Sequence, residues 1–282
     1  MTLRRIPEKK NRVSFLLLLL LAVILLMFGI KKCSRQHSFG TSLKAESFKS
    51  GGDTLDVAIE LSPLSYSMSG DTISGLDYEL LTALSSIHNR PIKFHPFVPL
   101  KHATHGLREG RYDIVVSALP TTDSLKTEFL LTDKVFLDRE VLLQIHNSPN
   151  FIPRPEDLVG DTVWIAAGSP FKQRIRNLAA ESGDTIVVME ADGRSAEQLV
   201  IMVARGRIPR AVVNERVAAK MKDMKYKELD YTVPVSFTQF QTWALSKNNQ
   251  ALRDTLNAWL ADFRNTPAYD AILTRYGASA AH

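Results

Sequence analysis

Cysteine is almost absent from this sequence, and its scarcity limits the kinds of site that the protein can contain. The chain of 282 residues has a single cysteine, Cys33. One cysteine excludes a disulfide within the chain and any zinc site built from several thiolates. Glycine and proline, with 14 and 13 residues, occur at ordinary levels, which excludes collagen-like, low-complexity and wholly disordered chains. The length fits one large domain or two ordinary ones.

Excess charge is also absent from the part of the chain that is expected to fold. The net charge of the whole chain is +5. Residues 1–35 contain eight lysines and arginines and one glutamate, a net charge of +7, so the remaining residues carry −2. Binding of nucleic acids requires a basic surface on the folded domain. We therefore predict no nucleic-acid partner.

A long apolar run lies near the N-terminus. Residues 13–30 (VSFLLLLLLAVILLMFGI) would form a helix of about 27 Å, close to the thickness of the hydrocarbon core of a bilayer. Two interpretations stay open, a cleaved signal peptide and a retained anchor. The anchor is favoured because Lys31 and Lys32 follow the run where a cleavage site would have small residues. The same lysines argue against lipid attachment at Cys33, which we interpret as an unmodified thiol.

The charged flanks of the apolar run predict its orientation. Residues 1–12 carry more positive charge than the segment that follows the run, which predicts a cytoplasmic N-terminus. The folded part would then lie in the periplasm, attached to the inner membrane by a single span. We predict a basic cytoplasmic tail at 1–12, a transmembrane anchor at 13–30 and a tether rich in Ser, Gly and Lys at 31–52.

Beyond the tether, short apolar segments alternate with segments of helical periodicity. Leu55–Ile59 and residues 112–116 have the length and composition of buried strands. Between them, Leu76, Leu80 and Leu84 recur at helical spacing. Strands that alternate with helices in this way predict an α/β fold with largely parallel sheets.

Five local motifs occur in the order found in a known family of binding proteins. They are Ser62-Pro63-Leu64-Ser65-Tyr66, Gly75-Leu76-Asp77-Tyr78-Glu79-Leu80, residues 107–116, residues 157–169 and residues 206–214. Over about residues 53–277 the sequence resembles family 3 periplasmic solute-binding proteins, the two-lobed receptors that serve amino-acid importers. Within that group, the first two motifs look similar to the non-catalytic domain of the membrane-bound lytic murein transglycosylase F family.

The resemblance implies a two-lobed, type II periplasmic-binding-protein-like fold, in which two α/β lobes close on a ligand by a hinge motion. It implies that lobe 1 comprises residues 53–146 and 236–282 and that lobe 2 comprises residues 147–235. A small polar ligand would bind in the cleft between the lobes. The resemblance implies this small-molecule ligand and either an ABC permease or a peptidoglycan enzyme as partners, and the N-terminal apolar run adds the inner membrane.

The same resemblance implies which residues bind the ligand. They are Tyr66, Ser117, Thr122, Leu125, Gly168, Ser169 and Asn214. Leu125 stands where the family has an arginine that binds a carboxylate, and Asn214 where it has an aspartate that binds an ammonium group. Because both positions are uncharged here, we predict a cleft without these charges and a ligand that is not a free α-amino acid. Two of the residues have structural interpretations as well, Tyr66 as a core aromatic and Ser169 as a helix N-cap.

Motifs for catalysis and metal binding are missing from the sequence. It has no G-x-S-x-G, Walker A or G-x-G-x-x-G pattern. His102 and His105 have helical spacing but no cluster of carboxylates at ligand spacing, so we interpret them as solvated histidines. Asp77 and Glu79 are interpreted as charges in the first turn of a helix rather than as an acid pair.

These observations predict a binding protein without enzymatic activity, cofactor or metal. The predicted function is a membrane-anchored, extracytoplasmic solute-binding module for a small polar ligand or a cell-wall fragment. The alternative is a ligand-independent scaffold or a regulatory partner of a peptidoglycan-remodelling enzyme.

Overall fold

The computed structural model describes residues 54–278. The predicted cytoplasmic tail, anchor and tether, with Cys33, lie outside the described residues. Within the described range, no helix has both the length and the apolar character that crossing a membrane requires. The described part begins one residue before the first predicted strand and includes nearly all of the predicted binding domain.

Strands and helices alternate along the described part of the chain, as the sequence predicts. The strands are β1 (Leu55–Ile59), β2 (Ser67–Ser69), β3 (Thr72–Ser74), β4 (Ile92–His95), β5 (Ile114–Pro120), β6 (Leu130–Leu131), β7 (Phe136–Asp138), β8 (Glu140–Ile145), β9 (Thr162–Ala166), β10 (Val187–Ala191), β11 (Arg210–Asn214), β12 (Leu229–Pro234) and β13 (Gln239–Leu245). The α-helices are α1 (Leu76–His88), α2 (Leu100–Arg108), α3 (Asp123–Glu128), α4 (Phe171–Ser182), α5 (Ala196–Ala204), α6 (Glu215–Met224), α7 (Gln250–Arg264) and α8 (Pro267–Arg275). A 3-10 helix covers Pro155–Leu158.

The first sheet has six strands in the order β4-β1-β5-β13-β6, with β7 also paired to β13. β1 lies between β4 and β5 and is parallel to both, with Val57 opposite Phe94 and Ile114. The register continues with Ile59 opposite Val116, and the Glu60 N–H donates to the Val116 carbonyl. Glu60 therefore follows β1 at a point directly beside the middle of β5. We call the part of the protein built on this sheet lobe 1.

The second sheet has five strands in the order β10-β9-β11-β8-β12. β9 is parallel to β10 and β11, whereas β8 is antiparallel to β11 and β12. Asn214, the last residue of β11, lies opposite Glu140, the first residue of β8. We call the part built on this sheet lobe 2. Together the two sheets form the two-lobed α/β fold predicted from the sequence.

The prediction of largely parallel sheets is wrong for part of each sheet. β13 is antiparallel to its neighbours in the first sheet, and β8 is antiparallel to its neighbours in the second. Both strands follow directly after the chain passes from one sheet to the other. Such a strand enters its new sheet from the edge that faces the other lobe, where the parallel strands end. It therefore runs opposite to them.

The two passages between the sheets are short. Arg139 alone separates β7 from β8, and residues 235–238 separate β12 from β13. The range predicted for lobe 1, 53–146, included β8, but the hydrogen-bond partners of β8 belong to the second sheet. The first passage therefore lies at Arg139 and not after His146. The apolar pattern of β8 identified a buried strand, but it contained no information about which sheet the strand joins.

Helix α1 shows how the local sequence forms the core of lobe 1. Leu76, Leu80 and Leu84 are fully buried, and their spacing of four residues places them on one face of the helix. That face packs against the apolar side of the first sheet, in the same cluster as Val57 and Val116. The helix ends at His88, and the next residue, Asn89, caps it in the left-handed conformation with a φ of 49°.

Candidate ligand-binding cleft

A cavity of about 140 Å³ lies between the two lobes. Its walls come from β1, β5 and the first turn of α2 in lobe 1 and from β9, β11 and the starts of α4 and α5 in lobe 2. The polar residues that line it are Glu60, Ser117, Ser169, Arg194, Ser195, Gln198 and Asn214, and the others are apolar residues, glycine and proline. A volume of this size holds a small organic molecule rather than one or two waters. The ends of parallel strands are a usual place for ligand sites in α/β proteins.

Glu60 links the two walls of the cavity. Its Oε2 accepts a hydrogen bond of 2.7 Å from the Ser117 hydroxyl in lobe 1. Its Oε1 accepts one of 3.1 Å from the backbone N–H of Ala196 in lobe 2. Ala196 is the first residue of α5, whose free N–H groups and positive dipole end favour a carboxylate. The carboxylate of Glu60 therefore joins lobe 1 to the N-terminus of a helix in lobe 2.

The loop before α5 is ordered by a capping box. The hydroxyl of Ser195 accepts from the Gln198 N–H at 3.3 Å, and the Gln198 side chain accepts from the Ser195 N–H at 3.1 Å. Arg194 directly precedes the cap and lines the cavity with an exposed side chain. The cap thus fixes the loop that brings a cationic side chain to the mouth of the cleft.

Acidic groups beside the cavity are held in an environment that disfavours their charged form. Burial raises the pKa of Glu60, and the hydrogen bonds from Ser117 and Ala196 oppose that shift. Burial also raises the pKa of Glu197, and repulsion by Glu60 adds to the effect. Glu60 and Arg194 are the ionisable residues among those that line the cavity, so an acidic and a basic side chain are both present. The prediction of a cleft without such groups is therefore wrong.

Asn214 ends β11 and lines the cavity from lobe 2. Its residue surface is only 3% exposed. Within the described part of the chain, the side-chain nitrogen Nδ2 has no hydrogen-bond partner. Asn214 occupies the N-cap position of α6, but its side chain makes no capping hydrogen bond. Since a buried amide donor without a partner costs about 1–3 kcal/mol, this group is suited to an acceptor presented by a ligand.

Three of the seven residues predicted for the site line the cavity, namely Ser117, Ser169 and Asn214. Ser169 does so while its hydroxyl accepts from the Phe171 N–H at 3.3 Å at the start of α4. Gly168 is not part of the lining, but it lies where the lobes approach each other. It has a φ of 80°, and a Cβ placed there would lie 3.1 Å from the Cα of Lys101 in lobe 1.

The structure places the other three predicted residues away from the cavity. Tyr66 is buried among aromatic rings, 5.3 Å from the ring of Tyr78 and perpendicular to it, so the structural interpretation of this residue holds. The hydroxyl of Thr122 caps α3 by accepting from the Leu125 N–H at 3.3 Å. Leu125 packs against the buried cluster that contains Leu107 and Phe129. Leu125 therefore occupies an apolar environment in lobe 1 and not a ligand-binding position.

Sequence reasoning missed Glu60 and Arg194. Each has a signal in the sequence that could have identified it. Glu60 directly follows an apolar strand segment, at the strand end where ligand sites collect in α/β folds. Arg194 directly precedes Ser195-Ala196-Glu197-Gln198, a capping-box pattern that marks the start of a helix. Neither signal shows that the two residues belong to the same cavity, because that follows from the packing of the lobes.

Two buried carboxyl groups flank the passage at Arg139. Burial raises the pKa of Asp138 to about 7, although the Arg139 N–H and the positive charge of Arg216 oppose the shift. Burial likewise raises the pKa of Glu140 to about 7. The Glu140 carboxylate accepts from Gln239 Nε2 at 3.3 Å, which links the first passage to the strand that follows the second. Because burial favours the neutral form of both carboxyls, the passage is expected to carry less negative charge than its sequence suggests.

The histidines weighed as metal ligands lie on the surface. His105 pairs with Glu109, one turn further along the chain, at 3.0 Å, and both side chains are largely exposed. In the range 54–278, no group of three or more His, Cys, Asp and Glu side chains is arranged to hold a metal ion. His105 therefore takes part in a surface ion pair when it is protonated.

Comparison with known proteins identifies the family. A family model described as bacterial extracellular solute-binding proteins, family 3, matches residues 55–279. The chain belongs to this family. The match covers the whole described domain, including both lobes and the cleft between them, and it confirms the resemblance found in the five sequence motifs. A family 3 protein binds its ligand between two lobes, which is where this chain has its cavity.

A solved structure and two curated relatives give the range of similarity. The structure of an ancestral arginine-binding protein bound to arginine is 20% identical, covers 80% of this chain and 98% of its own, and has a TM-score of 0.70. At that identity it shows the fold alone. Membrane-bound lytic murein transglycosylase F of Shewanella pealeana is 27% identical over 54% of this chain and 31% of its own length. The protein of the same name from Desulfosudis oleivorans is 23% identical over 75% of this chain and 46% of its own length. The chain thus matches between about a third and a half of these relatives.

Proposed function

We propose that this family 3 protein is a membrane-anchored, extracytoplasmic module that closes its two lobes on a small polar ligand and catalyses no reaction. The observation that carries the proposal is the cavity whose walls come from both lobes and are linked by the hydrogen bond from Ala196 to Glu60. A ligand that contacts both walls gains contacts only when the lobes are together. Binding would therefore shift the protein towards the closed state.

The proposed ligand is a small polar compound or a cell-wall fragment, and not a free α-amino acid. The ionisable group that lobe 1 contributes to the cavity is an acid, Glu60. An α-amino acid would bring a second carboxylate into the same cavity, where the available cation is the exposed Arg194. A solvent-exposed ion pair contributes only about 0–1 kcal/mol, which does not offset the transfer of a carboxylate out of water. This argument replaces the one based on Leu125, which lies outside the cleft.

The proposed partner is either a permease or a peptidoglycan enzyme. Family 3 proteins as a class support the first, and the relatives named lytic murein transglycosylases support the second. The alternative function, a scaffold or regulatory partner that needs no ligand, is favoured by the direct link between the lobes at Glu60. The two functions differ in whether a small molecule slows the exchange of backbone amide hydrogens in the cleft.

Hydrogen exchange with bound compounds tests this proposal. We expect mass spectrometry to identify a small polar compound that co-purifies with the full-length protein. Adding that compound back should slow amide exchange in β5 and at the start of α5 together. Asn214→Ala should weaken retention by about fivefold or more, because it removes a buried donor, whereas Thr122→Ala should not change it. A free amino acid that binds with micromolar affinity, or exchange that no compound alters, would contradict the proposal.

The membrane anchor is tested separately. The apolar run at 13–30 is expected to keep the protein in the membrane fraction after washes with high salt and carbonate. Deletion of residues 1–30 should release the protein, because the charge that remains is too small to hold it on anionic lipid. If expression of the full sequence gave a soluble protein whose N-terminus lies after residue 30, the apolar run would be a cleaved signal instead.

A further inference from the structure

The cavity contains a half-buried acid, Glu60, whose hydrogen-bond partners are uncharged. Among residues 54–278, no lysine, arginine or histidine forms an ion pair with Glu60, and its shift in pKa has no contribution from a positive charge. Its partners are a hydroxyl and a backbone N–H. A carboxylate that is partly removed from water without a counter-ion is destabilised relative to its neutral form. A cationic group in the cavity would remove that penalty.

The carboxylate of Glu60 has the capacity to accept more hydrogen bonds. Each of its oxygens accepts one hydrogen bond from the protein, whereas an ionised carboxylate has about four acceptor positions. Glu197, in the first turn of α5, repels Glu60 and adds to the negative potential at this end of the cavity. An ammonium or guanidinium group would find both a hydrogen-bond acceptor and a favourable potential there.

On the lobe 2 side of the cavity, the group available to a ligand is a hydrogen-bond donor. Asn214 lines the cavity, is 3% exposed and has an Nδ2 group without a partner in the described part of the chain. This group needs an oxygen acceptor. An uncharged carbonyl or hydroxyl oxygen satisfies it without bringing a second negative charge near Glu60.

We propose that Glu60 and Asn214 together select the ligand, Glu60 by binding an ammonium or guanidinium group and Asn214 by donating to an uncharged oxygen. The ligand class is an amine that also carries an amide or hydroxyl oxygen and has no carboxylate next to the amine. This inference rests on the proposed function, since it assigns the chemistry of the same cleft. It makes lobe 1 the side that binds positive charge and lobe 2 the side that binds the neutral oxygen.

A matched series of compounds tests the ligand class. The twenty amino-acid amides keep the ammonium group of the amino acids and replace the carboxylate by an uncharged carbonyl. Calorimetric titration of the full-length protein in detergent is expected to show at least one amide that binds tenfold or more tightly than its parent amino acid. An amino acid that binds as tightly as its amide would overturn the inference, and so would a series in which no amide binds.

Two variants test the residues. Glu60→Gln keeps the size of the side chain and removes its charge, and we expect it to weaken binding of the amide about tenfold or more. Glu228→Gln is the matched control, since it removes an equal charge from an exposed side chain outside the cavity lining, and its effect should stay below about threefold. If circular dichroism shows that Glu60→Gln does not fold, Asn214→Ala tests the inference, because it removes the donor without adding a charge and should weaken binding of the amide about fivefold or more.

The failure of this inference can be distinguished from failure of the proposed function. A co-purifying compound that protects both walls of the cleft but carries no cationic group would leave the proposed function standing and overturn the role of Glu60. Equal effects of Glu60→Gln and Glu228→Gln would show that the loss follows the net charge of the protein and not contact with Glu60, which would also overturn the proposal.

Discussion

Replacing Gly75 with alanine is expected to destabilise the protein by about 3–5 kcal/mol, a large effect for the addition of one methyl group. Gly75 precedes α1 and has a φ of 139°, a conformation that residues with a side chain rarely adopt. A Cβ at this position would collide with the carbonyl oxygen of Ser65 and lie 2.6 Å from its carbonyl carbon. Both are backbone atoms of a buried loop. The loop would have to move and would lose its hydrogen bonds to the start of α1.

The matched control for this variant is Gly70→Ala. Gly70 also has a positive φ, 60°, but a Cβ there would meet no atom within 4 Å. This variant should lose only about 1 kcal/mol, the usual cost of the left-handed conformation for alanine. Urea denaturation of both variants, followed by circular dichroism, gives the two values. Equal losses would show that the close approach to Ser65 is relieved without cost and that only the backbone conformation matters.

Replacing Trp243 with phenylalanine is expected to destabilise the protein by about 3 kcal/mol at pH 8 and by only about 1–2 kcal/mol at pH 5. Trp243 lies in β13, is fully buried and donates from its indole nitrogen to Asp77 at 2.8 Å. Asp77 also accepts from the Ser65 hydroxyl at 2.7 Å. The sequence interpretation of Asp77 as a first-turn helix charge described its position, but this carboxyl is buried and joins α1 to the first sheet.

The dependence on pH follows from the ionisation of Asp77. Burial raises its pKa to about 6 in the folded protein, and the hydrogen bonds from Trp243 and Ser65 oppose the shift. A raised pKa means that ionisation costs stability as the pH rises from about 4 through 6. Removal of the indole donor raises the pKa of Asp77 further. The additional loss of stability in Trp243→Phe therefore appears above pH 6, where the carboxylate of the wild-type protein is charged.

A second variant separates the hydrogen bond from the change in side-chain size. In an Asp77→Asn background, Trp243→Phe should cost the same at both pH values, because the group at position 77 no longer ionises. Thermal or urea denaturation at pH 5 and pH 8 measures the difference. A loss from Trp243→Phe that is equal at the two pH values in the wild-type background would show that the indole donor does not stabilise the charged form of Asp77.

The strands and helices of the first half of each lobe could be predicted because their patterns are local. The predicted strand Leu55–Ile59 is β1, and Leu76, Leu80 and Leu84, which were predicted to share a helical face, lie in α1. β12 and β13 were not predicted. They follow the helical segments, and their apolar residues are interrupted by polar ones. β13 is buried because it pairs with β5, β6 and β7. The residues with which it pairs lie more than 100 positions earlier in the chain.

The candidate site could be predicted only in part, for a related reason. Ser117 and Asn214 were found because they end or follow strand motifs whose order identifies the family. Leu125 was placed in the cleft by its position in a motif, but the helix that carries it turns its side chain to the cluster of Leu107 and Phe129. A motif gives the order of residues along the chain. The direction of a side chain depends on what packs against it.

The sequence by itself determined the family, the two-lobed α/β class, the apolar N-terminal run and the absence of common catalytic motifs. Each of these can be identified from residues that are neighbours along the chain. Only the tertiary structure decided that Glu60 meets the start of α5, that Asn214 has an unpartnered donor and that β8 belongs to lobe 2. These facts join residues as far apart as 136 positions. Contacts over such separations are set by the packing of two lobes through which the chain passes twice, and no local pattern records it.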